Sequence, residues 1–407
     1  MYHHFSTEFF VNNRKRLREL FVGTAPIVIT ANGVLQRNGD NTFSFRQDSS
    51  FWYLTGIQKP DVVLVMDKGK EYLIMPAQQD YLDIFHDASN KEALTTISGI
   101  SDICSQVDGW KRLQSRLKKV KHVATLSAPA AHIDQLGFYA NPARASLIER
   151  LKSEDNNFEL LDLRPQLSLM RIIKQAPELA AIQEAIDVTV KALKYVQKRQ
   201  YQYEYQIEAE LFKQFRKAGA KGHAFAPIIS GGERACVLHR DDNDSLIGPK
   251  ELLTIDVGAE IDNYAADITR TYSQTKTASK RQKAVHAAVQ AVQDYAYSLL
   301  KPGPTIRQNE ALIEHFMGEK LRELGLIKTI DRDSVRKYFP HATSHYLGLD
   351  VHDVGDYDRP LEAGMVITVE PGIYIAEEAI GVRIEDDVLI TAKGHQILSS
   401  SLPRSIS

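Results

Sequence analysis

An aspartate stands inside an apolar run, Leu252-Leu253-Thr254-Ile255-Asp256-Val257-Gly258, that otherwise has the length and composition of a buried strand. A lone buried carboxylate is very costly unless it is paired or bound to a cation. Eleven positions on, Asp267 lies in a second run of the same kind, Tyr264-Ala265-Ala266-Asp267-Ile268-Thr269-Arg270. A hairpin turning near Ile261-Asp262 puts Asp267 directly across from Asp256, where cross-strand Cβ atoms lie about 4.5–5.5 Å apart. Two anions at that range need a cation. The segment alone fits two other readings equally: a hairpin with solvent-facing acids, or an Asp256–Arg270 ion pair.

Two further acids end β-type runs. Gly364-Met365-Val366-Ile367-Thr368-Val369 closes on Glu370, and Pro371 keeps that residue extended. In Gly381-Val382-Arg383-Ile384-Glu385, apolar and charged residues alternate, so Arg383 and Glu385 point to one face. By itself that pattern also describes a half-exposed strand with a same-face ion pair. Between these regions, His341, His345 and His352 fall within twelve residues. His341 and His345 have the spacing of a zinc-protease helix, but Ala342 stands where that motif needs glutamate, so a helical zinc site is rejected. One histidine with four carboxylates is a hard, oxygen-rich set that favours Mn²⁺, with Co²⁺, Zn²⁺ or Fe²⁺ as alternatives. Carboxylates bridge, which suits two ions about 3.5–4 Å apart.

The rest of the chain sets the frame. Its 407 residues predict two or three domains. With 43% apolar and 25% charged residues it reads as a folded globular chain. Fifty basic and 52 acidic residues leave a net charge of -2, so no overall field favours nucleic acid or a membrane surface. Two cysteines, Cys104 and Cys236, give neither a disulfide framework nor a thiolate cluster and fit a reducing compartment. The N-terminus shows no uninterrupted apolar stretch, so the expectation is a cytoplasmic protein, intact from its first residue. β-type runs at Ile27 to Thr30, Phe51 to Leu54, Val62 to Met66 and Tyr72 to Met75, with a helix near Trp110 to Lys121, predict an α/β first domain over residues 1–170. Pro177 beside Glu178 marks a helix start. Beyond it, long helices at Lys280 to Leu300 and Asn309 to Leu324 separate β-type runs, including Val382 to Ile390, and predict an α+β second domain over residues 171–407.

The ordered set Asp256, Asp267, His345, Glu370 and Glu385 resembles the dinuclear site of the pita-bread metallopeptidases, which include methionine aminopeptidase, prolidase and aminopeptidase P. The stretches from His345 to Gly355, Gly364 to Gly372 and Asp267 to Thr271 resemble the proline-specific branch. The first-domain wording from Phe45 to Gly56, followed by Pro60-Asp61-Val62-Val63-Leu64-Val65, is similar to aminopeptidase P more than to prolidase. The resemblance implies a creatinase/aminopeptidase P-like N-terminal domain, a pita-bread catalytic domain and cleavage after a residue that precedes proline. It implies that Asp256 and Asp267 hold one ion, with Asp267 also reaching the second. His345 and Glu370 then complete the second, and Glu385 bridges both. His239 matches a substrate-orienting histidine, His352 one that contacts the scissile peptide, His341 a histidine at the motif's start, and Arg383 an arginine bracing the carboxylates. Ala342 replaces a usual glycine and Phe225 a frequent tyrosine; neither removes a ligand. The partners implied are peptides with proline second, and a homodimer or homotetramer. A prolidase, a non-catalytic peptide-binding relative, and a Cys236–His239 nucleophile and base are the competing readings.

Overall fold

The structure is a computed structural model that describes residues 4–77, 91–127, 137–155 and 157–406. Two compact units emerge, one from Phe5 to Met170 and one from Arg171 onward that includes His4.

The first unit is built on a six-stranded mixed sheet in the order Ile103–Cys104, Lys70–Ile74, Val63–Asp67, Ile27–Thr30, His122–Thr125, Glu159–Asp162. Val63 and Val65, with Tyr72 and Ile74 on the next strand, face a core shared with Trp110, Leu113 and Leu117. Those three lie on the helix Gln106–Leu117, which starts where the Ser105 hydroxyl accepts from the Asp108 N–H. The run Phe51 to Leu54, expected as a strand, is instead part of the helix Ser49–Thr55. A short apolar run does not distinguish the two; the ends decide. The Asp48 carboxylate caps the Phe51 N–H at 2.9 Å, and Gly56, at φ 70°, closes the last turn.

Every strand pairing in the second unit is antiparallel. The chain order runs twice from a helix pair into strands: Ala176–Val196 and Glu204–Lys217, then Lys280–Leu299 and Ile306–Glu323. Gln175 and Glu178 form a reciprocal capping box at the start of the first helix, with Pro177 in its opening turn. This is the α+β pita-bread architecture.

Leu253–Val257 is the central strand of a three-stranded sheet between Ile228–Gly231 and Ile268–Tyr272. Its pairing corrects the expected register. Asp256 lies opposite Thr269, not Asp267, because the ribbon turns at Asp262-Asn263, whose φ angles are 48° and 69°. A slip of two residues keeps every side chain on its own face, so Asp267 becomes the diagonal neighbour of Asp256. Between the turn and this sheet the ribbon joins a second sheet through Ala259–Ile261 and Tyr264–Ala265. The crossover is tight: a Cβ at Gly258 would lie 1.6 Å from the Ala266 carbonyl oxygen. The run Val382 to Ile390 is likewise divided, into Ile380–Arg383 and Asp386–Thr391 in different sheets. The break leaves the Glu385 N–H bonded to the Thr269 carbonyl, which brings Glu385 beside the Asp256 strand.

Gly258→Ala is expected to force Ala266 and Asp267 out of place and to cost about 1–3 kcal/mol. Denaturant unfolding measures the loss, and unchanged stability would show that the crossover yields without strain.

Candidate metal centre

Strand geometry brings the acids together. Asp256 projects from the penultimate position of the strand Leu253–Val257, and Asp267 and Thr269 alternate with Ile268 onto the same face. Asp267, His345 and Glu385 each offer an oxygen or nitrogen, and these atoms lie within 4.8 Å of one another. His345 Nε2 is 3.4 Å from Asp267 Oδ2 and 3.5 Å from Glu370 Oε1. Asp256 accepts a 2.6 Å hydrogen bond from Arg383 Nη2, so its charge partner is Arg383 rather than Arg270. Arg270 lies opposite Ile255, on the other face, and donates to Asp386 at 2.6 Å. The solvent-facing reading also fails, since Asp256 and Asp267 are buried.

The hydrogen bonds leave a defined gap. Asp256 Oδ1 and Asp267 Oδ1 are buried with no hydrogen-bond partner among the described residues. His345 Nδ1 lies 3.0 Å from the Tyr346 carbonyl, which can only accept, so Nδ1 carries the proton and Nε2 presents a lone pair to Asp267 and Glu370. Burial, then the charge of His352, pushes the His345 imidazole down to about 3, so it is neutral at ordinary pH. A lone pair facing carboxylate oxygens is repulsive without a cation between them. The donor set fits divalent ions on this observation.

Burial also drives the acids toward their neutral forms. It pushes Asp267 well above the carboxylate range, with Glu385 and Asp256 adding to it, and raises Glu385 similarly beside Glu370 and Asp256. Burial lifts Glu370 to about 8, against the pull of Arg383. Burial opposes the Arg383 charge, yet Tyr374, Asp256 and Glu385 hold its guanidinium well above the usual range.

Further residues escaped the sequence reading. Tyr374 accepts from Arg383 Nη1 at 2.9 Å and donates to His341 Nε2 at 2.8 Å, because His341 Nδ1 gives its proton to the Ala342 carbonyl. Burial, then Arg383, pushes His341 down to about 3, which suits this accepting role. Thr269 donates to Glu385 at 2.6 Å and receives Arg383 Nε at 3.2 Å. Asp387 accepts the Asp267 N–H at 3.1 Å. Alternation from Asp267 to Thr269 pointed to the threonine; nothing local pointed to Tyr374 or Asp387.

The five ligand candidates, His341 and Arg383 therefore form one cluster. The His352 ring packs 4.2 Å, centre to centre, from that of His345. His239 is exposed, in a turn after Gly232–Cys236. Burial pushes the Cys236 thiol up to about 11, so the nucleophile reading fails. Phe225 packs its ring against the Gly258 crossover.

Comparison with known proteins identifies the family. Residues 180–392 match the metallopeptidase family M24, and residues 10–124 match the aminopeptidase P N-terminal domain. The Xaa-Pro aminopeptidase of Haemophilus influenzae is 35% identical over 91% of this chain and 89% of its own. That of Escherichia coli is 30% identical over 97% and 95%. Among solved structures, proline aminopeptidase P II from Yersinia pestis superposes with a TM-score of 0.87 at 31% identity, covering 99% of this chain and 98% of that one. Zinc-substituted aminopeptidase P from Escherichia coli with product gives 0.86 at 29% identity, over 98% and 96%. The chain is a hydrolase that belongs to metallopeptidase family M24 and carries the aminopeptidase P type of first domain.

The raised carboxyl groups set a pH dependence for the metal-free protein. Glu370 stays protonated in the fold up to about 8 but ionises near 4.5 when unfolded, so its contribution is full below 4.5 and is lost as pH rises through 8. Chelator-treated protein is expected to melt at progressively lower temperature across that window. Added Mn²⁺ is expected to flatten the slope, and a melt that rises with pH without metal would contradict the assignment.

Proposed function

We propose that the protein is a Xaa-Pro aminopeptidase, releasing a free N-terminal residue from peptides whose second residue is proline, with two divalent ions, Mn²⁺ by preference. One observation carries the reading. The complete family ligand set, buried at Asp256, Asp267, His345 and Glu385 and half-buried at Glu370, surrounds two unpaired carboxylate oxygens, in a chain that also has the aminopeptidase P first domain. A non-catalytic relative would be expected to lack ligands.

Asp256, Asp267, His345, Glu370 and Glu385 would hold the ions. Such ions, when bound, acidify a water and polarise a carbonyl. The protein's own groups do the rest. Glu370 ends a rigid strand beside the other ligands and takes the proton from water, then carries it toward the leaving nitrogen. His239 and His352 donate to the developing oxyanion and orient the peptide. Arg383 and Tyr374 keep Asp256 and His341 in register with them. The bond before proline is a tertiary amide without an N–H, so its recognition rests on shape. Two free thiols support a cytoplasmic setting, and likeness to aminopeptidase P supports a homodimer or homotetramer.

Metal-loaded protein is expected to cut Xaa-Pro-Xaa tripeptides and spare Xaa-Pro dipeptides. The opposite pattern would make it a prolidase, and inactivity on both would sink the proposal. Glu370→Ala is expected to lower kcat by about 10²–10⁴-fold in soluble, folded protein; retained turnover would remove Glu370 from the mechanism.

A further inference from the structure

A second buried cluster of charge takes no part in the chemistry above. Lys174 Nζ donates to Asp353 Oδ2 at 3.0 Å and to the Arg171 carbonyl at 2.7 Å. Arg171 Nη2 donates to Asp353 Oδ1, and to Asp350 Oδ2 at 2.7 Å. The side chains of Arg171, Lys174 and Asp353 are only 3%, 0% and 1% exposed. Burying charges this deeply is a poor route to stability alone, so the location of the cluster needs another account.

The two acids stand on either side of Val351-His352. Asp353 N–H donates to the Tyr346 carbonyl at 2.8 Å, and Gly348 N–H donates to the Asp350 carbonyl at 3.1 Å, so the chain from Tyr346 to Asp353 is tied back on itself. Gly348 lies directly over the ion pair. A Cβ there would sit 2.1 Å from Asp353 Oδ2 and 3.0 Å from Lys174 Nζ. The Gly348, Asp350 and Asp353 positions of the histidine motif, none of which is a ligand candidate, thus serve one arrangement. Its product is the His352 ring held 4.2 Å from that of His345.

We infer that Arg171 and Lys174 are positioning residues, which clamp Asp350 and Asp353 and thereby fix His352 against the ligand His345. The kinetic part rests on the peptide-orienting role of His352 proposed above.

The test uses full-length, metal-loaded Asp353→Asn, which keeps shape and removes the charge, made alone and in a His352→Ala background. The variant alone is expected to lose about tenfold or more in kcat, since small misplacements of an orienting group are costly, while metal content is unchanged. In the His352→Ala background the further loss is expected to stay within about twofold, because the clamp acts through that histidine. Equal losses in both backgrounds would overturn the inference. Hydrogen exchange gives a readout that needs no substrate. Amides of residues 347–354 are expected to exchange faster in Asp353→Asn while those of Leu253–Val257 do not, and unchanged exchange at 347–354 would overturn the clamp. Should Asp353→Asn fail to fold, Asp350→Asn, whose side chain is 44% exposed, carries the same comparisons. If the wild-type protein cuts no Xaa-Pro peptide, the proposed function falls and the exchange result alone decides the clamp.

Discussion

Repulsion among carboxylates is the constraint around which the catalytic unit is arranged. Asp256, Asp267, Glu370 and Glu385 converge on one small volume, and the cation bonded there among the described residues is Arg383. One guanidinium against four acids leaves the cluster strongly anionic when ionised. Water cannot relieve the deficit, because burial is the first cause of the upward shift at Asp267, Glu370 and Glu385. Without a further cation such a cluster must take up protons. That makes it a receptor for cations by construction, and the neutral imidazole of His345 adds a lone pair without adding charge.

Around this deficit, a shell of neutral and positive groups fixes direction. Thr269, Tyr374 and the Tyr346 carbonyl each commit one atom of a ligand or of its brace, so the remaining atoms have a single orientation. Strand alternation keeps two charge systems apart. On one face of Ile268–Tyr272, Thr269 serves Glu385 and Arg383. On the other, Arg270 joins Asp386 and the Leu402 and Pro403 carbonyls. Asp386 is further bonded to Gln293 and Tyr297 of the helix Lys280–Leu299, which ties that helix to the back of the sheet. An Asp256–Arg270 pair would have required one strand to present neighbours of opposite parity on the same side.

That parity is also why the ligands were legible in the sequence. A carboxylate inside Leu252 to Gly258 has few explanations, and the face it occupies survives a register error of two residues. The register itself was not legible, because it depends on Asp262 and Asn263 both adopting left-handed backbone. The helix at Ser49–Thr55 was hidden for a related reason: four buried apolar residues carry no period, and the Asp48 cap and Gly56 stop are the informative positions. Asp387 acts through a partner 120 positions away and Tyr374 joins Arg383 to His341, 33 positions before it in an irregular stretch, and no local pattern encodes either meeting. The break between Arg383 and Asp386 was missed because Ile384 and Glu385 continue the alternation of the strand they interrupt.

The ligand-bearing segments differ in kind, and the difference has a consequence. Asp256 lies within a strand, while Asp267, Glu370 and Glu385 directly adjoin strand ends, so the sheets set their placement. His341, His345 and His352 belong to an irregular stretch with no ladder of its own. Its middle is docked on the strand Val366–Val369, where Thr368 N–H donates to the His345 carbonyl and Leu347 N–H to the Val366 carbonyl, and charged side chains tie both ends. Near its start, Arg336 Nη1 donates to the His341 carbonyl at 2.5 Å and Glu310 accepts the Thr343 N–H at 2.9 Å. Near its end, Arg171 and Lys174 hold Asp353. The carboxylates and His345 are therefore set by sheet geometry, while the segments of His341 and His352 are also held by charged side chains from helices and from the approach to the helix Ala176–Val196. Substitution at those ties reaches His341 and His352 before it reaches the ligands, which makes the two ends of the histidine segment the part of the site where rate and specificity change while the cation receptor stays intact.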